Sequence, residues 1–348
     1  EHPNGPGYMD EKIESEINGK WKVKKQFTQL GSFLKAKDPN NKLAIDGDFT
    51  IFGYVNSSTP HTGSHQWIFC RWDNKTNEGF GIGINKDGYF ELVVGDGKEV
   101  DYLVSELPVI KKVWYFVAAT FNYKSGEASL YQEGVVNRYN SLIGKVVPYD
   151  YRSHTKTTFR FKQKNNPNTP FIVGGAIDDH ELRGKFVSGT FAGKVDRHGV
   201  CKKVLSREEL DKICAGELPD KESIVAYWDT TKGYSEKGIN NTVIDIGPNK
   251  LNSIGHNHPV RAMTGWNWSG KNDSFRLAPN EYGGIDFHPD AITDAGWDVT
   301  KSMTIPENLK SGIYAVRLRA GNGTGLGEEY IVFFVRPKTP NSKICFLV

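Results

Sequence analysis

Short runs rich in Val, Ile, Tyr, Phe and Thr, separated by clusters of Gly, Asn and Asp, recur from Phe49 through Phe334, the pattern of a chain built from strands. Asp48–Val55 is one such run, and Gly79–Ile84, in which bulky residues alternate with Gly, is another. The second leads through Asn85-Lys86-Asp87-Gly88 into Tyr89–Val94, and the Asp-Gly pair predicts a hairpin because glycine tolerates the positive φ of a tight turn. Val113–Phe121 is too uniformly apolar for a strand with one wet face, so it is expected to be central and covered on both sides. Asn122–Gly126 then turns the chain into Glu127–Gln132.

One short α-helix is predicted near 206–215. Ser206 stands at its N-cap with Glu209 placed to complete a capping box, Leu210 and Ile213 share a face, and Gly216 follows as the C-terminal cap. Many short antiparallel strands around so little helix predict a mainly β chain arranged as a sandwich or jelly roll. Breaks at Asp38–Asn41, Leu218–Asp220 and Trp266–Gly270 divide it. The expected order is a lead-in segment with a strand (1–40), the sandwich (41–218), sandwich-completing strands (219–268) and a small β domain (269–340) closed by Arg336-Pro337. A last strand, 341–348, belongs to something further.

Composition narrows the partners. A chain of 348 residues, 38% of them apolar, buries roughly three quarters of its unfolded surface without any staple. Its 44 Lys and Arg and 41 Asp and Glu are mixed along the whole length, so nucleic acid is not an expected partner. The longest uninterrupted apolar run, Val113–Ala119, is far shorter than the about 20 residues a membrane-crossing helix needs, so no membrane partner is expected. Cys70, Cys201, Cys214 and Cys345 are scattered and form no C-x-x-C pair, which reads as free thiols in a reducing, cytoplasmic setting. The loop-like start at Glu1–Gly7 and the strand-like run ending at Val348 predict a piece of a longer protein.

Catalytic motifs are scarce. Neither G-x-S-x-G nor H-E-x-x-H occurs, and His180-Glu181-Leu182-Arg183 meets Gly184 where a second His is needed. Gly265–Lys271 mimics a phosphate loop, but Asn272 replaces the Ser or Thr that would bind Mg²⁺. The glycines of Gly321–Gly327 have the wrong spacing for a dinucleotide site and read as a hairpin connection. His256 and His258 would share one side of an extended segment, with no third ligand in sight and thus no metal site. Asp178, Asp179 and Glu181 form an oxygen-rich cluster, the candidate calcium or glycan contact, against the plainer reading of a solvated turn. Among the tryptophans, Trp67 and Trp228 read as core, and Trp266 and Trp268 as candidate interface anchors.

Trp114–Phe121 with Ser125-Gly126 and Leu130–Gly134, and later Phe191–Arg197 followed by Leu205–Leu210, resemble the laminin-G type of concanavalin A-like sandwich. A narrower resemblance covers nearly the whole chain. It rests on His2–Gly7, Gly31–Phe33, Trp114–Ala118, Ala226–Asp229, Pro259–Gly265, Gly284–His288, Ser311–Arg319 and Phe333–Pro337, and by these the chain resembles the large (beta) subunit of the N,N-dimethylformamidase family. That resemblance implies an amidohydrolase cleaving the C–N bond of N,N-dimethylformamide, in which two Tyr and one Glu hold a mononuclear iron that polarises the carbonyl and activates water. It also implies that Ile344–Val348 opens the catalytic domain, that the catalytic ligands lie beyond Val348, and that this piece alone is inactive scaffold. Its implied partners are its own C-terminal catalytic domain, a small subunit and further copies in an oligomer. The competing reading is a lectin-like glycan-binding module of a secreted or surface protein.

Overall fold

The computed structural model describes residues 14–17, 21–24, 29–135, 151–180, 184–235, 238–291, 299, 301–319, 327–339 and 342–344. The chain divides into two compact units, Glu1–Gly296 and Trp297–Val348. The first is the sandwich. In one layer Arg152–Thr158, Glu127–Gly134, Trp114–Phe121, Phe49–Ser57 and Gly193–Cys201 lie side by side and antiparallel. Beyond Gly193–Cys201 the edge is shared, by Ile224–Asp229 at one end and by Gly284–Phe287 with Val260–Met263 at the other.

The second layer runs Val100–Pro108, Tyr89–Asp96, Glu78–Ile84, Gln66–Asp73, Ile172–Val173, Phe33–Ala36, Ser253–His256 and Thr242–Asp245. Thr242–Asp245 also pairs with Ile224–Asp229, so hydrogen bonding passes from one layer to the other along one side. Phe33–Ala36, the last strand of the lead-in segment, thus sits inside the sandwich.

Strand alternation explains why Trp114–Phe121 is buried along its whole length. Tyr115, Val117, Ala119 and Phe121 enter the core between the layers with Phe80, Leu92 and Val195. Trp114, Phe116 and Ala118 enter a second cluster with Leu205, Leu210 and Ile213. The central, doubly covered strand expected from its uniform hydrophobicity is therefore covered by the facing layer on one side and by the helix on the other. Each large apolar side chain buried this way contributes roughly 1.5–3 kcal/mol.

That helix is Arg207–Cys214. Ser206 Oγ accepts from the Glu209 amide at 3.3 Å, and the Glu209 carboxylate accepts from the Ser206 amide at 2.7 Å, the reciprocal cap predicted from sequence. Replacing Ser206 by Ala should lower stability by about 1 kcal/mol, read as an earlier urea midpoint with an unchanged slope. The Asn85–Gly88 turn also forms as expected: Asn85 Oδ1 accepts from the amides of Asp87 and Tyr89, and Gly88 has φ +85°.

The boundary between the units falls after Gly296 and not near 269. Gly284–Phe287, assigned by sequence to the small β domain, pairs with Gly193–Val195 and closes the sandwich. In the second unit, Gly312–Arg319 and Glu328–Val335 form an antiparallel hairpin in the register Gly312↔Val335 to Arg319↔Glu328. Cys345, the terminal run to Val348, the Glu1–Gly7 segment and most of the Gly321–Gly327 connection lie outside the described residues.

Candidate functional site

Burial of charge picks out one polar node. The strand Gly193–Cys201 carries a bulge between Asp196 and His198 against Phe49–Ser57, and Arg197 adopts φ +27°. Asp196 is wholly buried and takes Arg197 Nε at 3.0 Å, Arg197 Nη2 at 3.2 Å and the Thr230 hydroxyl at 2.7 Å. Burial pulls the Arg197 guanidinium pKa down, but the Asp196 charge beside it wins and the net direction is up. Arg197 also donates to Asn267 Oδ1 at 3.0 Å and to the Asn280 carbonyl at 3.1 Å, and its guanidinium lies 5.5 Å from the Trp266 ring centre. Gly265 and Gly283 complete the fit, since a Cβ on either would lie within 2.4 Å of an Asp196 oxygen. The node fastens the 264–283 segment to the sandwich, and its ions are occupied by one another.

This geometry redefines the candidate interface residues. Trp266 stacks on Tyr54, with ring centres 4.3 Å apart and planes within 2°, and belongs to the cluster beneath the helix. Trp268 Nε1 donates to the Asn272 carbonyl at 3.2 Å and faces the Tyr282 hydroxyl at 3.3 Å. Both rings are engaged within the chain. Trp67 and Trp228 are core, as read from sequence, with Trp228 stacked between Phe171 and His198.

The acidic cluster is a strand, not a loop. Asp178 and Asp179 lie in Ala176–His180, opposite Phe186 and Lys185, while Glu181 lies outside the described residues. Asp178 accepts from the Ser188 hydroxyl at 2.8 Å, and Asp179 pairs with Lys75 at 2.9 Å. Among the described residues no three His, Cys, Asp or Glu side chains gather as metal ligands. His256 ends a strand and stacks on Phe33, and the positive φ of Asn257 and His258 breaks the extended geometry that would align the two imidazoles.

Ser188 leads instead to a groove that sequence reasoning missed. Trp72 Nε1 donates to Asn74 Oδ1 at 2.9 Å, Asn74 Nδ2 donates to Ser188 Oγ at 2.8 Å, and Ser188 donates on to Asp178. These residues back a groove of about 750 Å³ whose wall includes His65, Asn85, Asp87, Glu91 and Tyr102. His65 Nε2 stands 2.9 Å from Glu91, and the Tyr102 ring is 57% exposed. Trp67 and Trp72 lie buried under this surface, so Tyr102 is the ring it offers. The strands 66–73 and 89–108 supply the wall by alternation, which a reading of the tryptophans alone does not reveal.

Tyr234, Tyr282 and Glu281 are two Tyr and one Glu, the composition of the iron site that the family resemblance implies. Yet Tyr234 donates its phenolic proton to the Tyr282 carbonyl, and burial pushes its pKa up to about 12. Tyr282 donates to the Asn272 carbonyl at 2.7 Å, and Glu281 is held by the amide and hydroxyl of Ser269 at 2.9 and 2.7 Å. Phenols committed as donors to main-chain carbonyls are not set up as phenolate ligands.

Residues 31–182 match the family of concanavalin A-like lectins and glucanases, and residues 260–348 match the family described as N,N-dimethylformamidase beta subunit-like, C-terminal. Over 342 residues, 97% of this chain, it is 34% identical to the N,N-dimethylformamidase beta subunit of Paracoccus aminophilus, covering 44% of that protein. The beta subunit from Alcaligenes sp is 33% identical over 339 residues, again 97% of this chain and 44% of the relative. The chain thus spans less than half the length of the curated relatives it matches. Among solved structures, the Ruminococcus gnavus IT-sialidase CBM40 superposes with TM-score 0.37 and 14% identity, over 53% of this chain and 97% of that one, a likeness too loose to carry an argument. Along nearly its whole length, this mainly β chain is similar to part of the N,N-dimethylformamidase beta subunit, with a laminin-G-type sandwich in its first portion.

Proposed function

We propose that this chain is the non-catalytic scaffold portion of a dimethylformamidase-like amidohydrolase, which hydrolyses the C–N bond of N,N-dimethylformamide or a similar small amide in the cytoplasm. The observation that carries this reading is the Gly312–Val335 hairpin. A two-stranded hairpin is marginal on its own in water, and within its own unit this one leaves Ile313, Leu318, Tyr330, Ile331, Val332 and Phe334 uncovered. Such a surface calls for a cover, and in this reading the cover is the catalytic domain, with a small subunit and further copies seated elsewhere on the scaffold. The buried ions support the same role, because Asp196 and Arg197 neutralise each other and are not free to act on a substrate.

The test measures iron content and dimethylamine release from dimethylformamide, side by side on the 348-residue chain and on the longest product of its gene. Iron and turnover in the longer product alone are expected. Turnover by the 348 residues alone, or none in either protein, would overturn the reading. The groove beside Tyr102 favours a second reading, a glycan-binding module. Saturable binding on a glycan array that is lost on Tyr102→Ala would support it.

A further inference from the structure

The guanidinium of Arg71 is buried without a carboxylate in direct contact. Arg71 lies in the strand Gln66–Asp73, is 1% exposed, and forms no direct ion pair among the described residues, with Asp38 and Asp46 acting on its charge only from longer range. Its Nη2 donates to the Asn166 carbonyl at 2.9 Å, but its Nε has no hydrogen-bond partner. Burying an unpaired cation costs several kcal/mol, so such an arrangement calls for an anion. A second orphan lies beside it: the Thr169 hydroxyl, in a residue 2% exposed, is also buried and unpartnered.

Both residues line one pocket of about 760 Å³. The exposed Lys35 and Lys37 stand at the same pocket and add positive charge. Asp38 is the acidic residue in its wall, and its two oxygens are taken by the amides of Lys42 and Leu43 at 2.8 and 2.7 Å, so it is not aimed at Arg71. The remaining wall includes Pro39, Pro167, Pro170 and Ile254, which is apolar. The loop that brings Thr169 over Arg71 is itself fixed, since the Thr169 amide donates to the same Asn166 carbonyl at 3.0 Å.

We propose that this pocket binds a small organic monocarboxylate, its carboxylate taken by Arg71 and Thr169 under the field of Lys35 and Lys37, and its hydrocarbon part lying against the proline-lined wall. A guanidinium offers parallel N–H groups that match the two oxygens of a carboxylate. The single buried guanidinium, with the Asp38 charge nearby, suits a monoanion better than a phosphate dianion. The apolar wall favours a ligand with a short alkyl chain over a bare inorganic ion. This site is separate from the groove at Tyr102 and does not depend on the amidohydrolase reading.

The test titrates the 348-residue chain with butyrate by calorimetry, at constant ionic strength held with chloride, with inorganic phosphate and butyramide in parallel. Saturable butyrate binding is expected, with phosphate weaker and butyramide inert. Arg71→Gln should weaken it more than tenfold. Because a buried substitution can unfold the chain, two gentler variants carry the same question. Thr169→Val removes one hydrogen bond and should weaken butyrate about fivefold. Lys35→Glu with Lys37→Glu changes only exposed residues and should weaken it further, with a loss of salt dependence. Wild-type protein that shows no saturable response to butyrate, tighter binding of phosphate, or folded Thr169→Val and Lys35→Glu/Lys37→Glu proteins that bind as wild type would each overturn the proposal.

Discussion

Asp196→Ala is expected to destabilise the sandwich by about 3–5 kcal/mol, because it leaves Arg197 as a buried cation with no anion. The side chain of Arg197 is only 15% exposed, so water cannot take over from the lost carboxylate. Thr230 loses the acceptor of its hydroxyl, and the Trp266 amide loses its contact at 3.3 Å, so the damage extends along the 264–283 segment. Hydrogen exchange should therefore quicken in that segment and in the adjoining strand Gly284–Phe287 before it changes at Trp114–Phe121. The double variant Asp196→Leu with Arg197→Met removes both charges and should recover most of the loss in urea unfolding. A single variant as stable as the wild type, or a double variant no better than the single, would show that the pair is not what fastens this segment.

Much of this architecture is legible in the sequence where local pattern and burial agree. The uniformly apolar 113–121 segment announces a strand covered twice, and Ser206 with Glu209 announces the helix start, because both signals act over a few residues. Asp178 and Asp179 read as a loop because acidic pairs favour turns. In the fold they pair across with Phe186 and Lys185, and Lys75 and Ser188 satisfy their carboxylates from segments distant in sequence. The contacts that Trp266 and Trp268 make within the chain are illegible for the same kind of reason: Tyr54 lies far along the chain from Trp266, Tyr282 lies 14 residues beyond Trp268, and no spacing rule places those rings against them. Arg71 and Asp196 look like ordinary surface charges in sequence. Only the packing of the layers puts them inside, Asp196 in a direct ion pair and Arg71 on a main-chain carbonyl.

His198 carries the second large effect, which appears in acid. Its ring is 1% exposed and stacked between Phe69 and Trp228, with centres 5.3 and 4.9 Å away, and neither ring nitrogen has a hydrogen-bond partner. Burial alone pushes its pKa down to about 3. In the unfolded chain the same imidazole titrates near about 6.5. Above that pH it is neutral in both states and adds no pH dependence. As the pH falls from about 6.5 toward 3, the unfolded chain takes up a proton that the folded chain refuses, and folding loses about 1.4 kcal/mol per pH unit, or about 3 kcal/mol by pH 4. Carboxylates titrate in the lower part of this window too, so the contribution is isolated by comparison with His198→Phe, which keeps a planar ring in the stack and removes both nitrogens. The variant's stability at pH 7 carries its own packing offset, but its slope between pH 6.5 and 5 should be flatter than the wild type by nearly the full amount for one proton. Superimposable slopes for the two proteins in that interval would mean that the folded state admits the proton, and that the aromatic stack around His198 opens more readily than its packing implies.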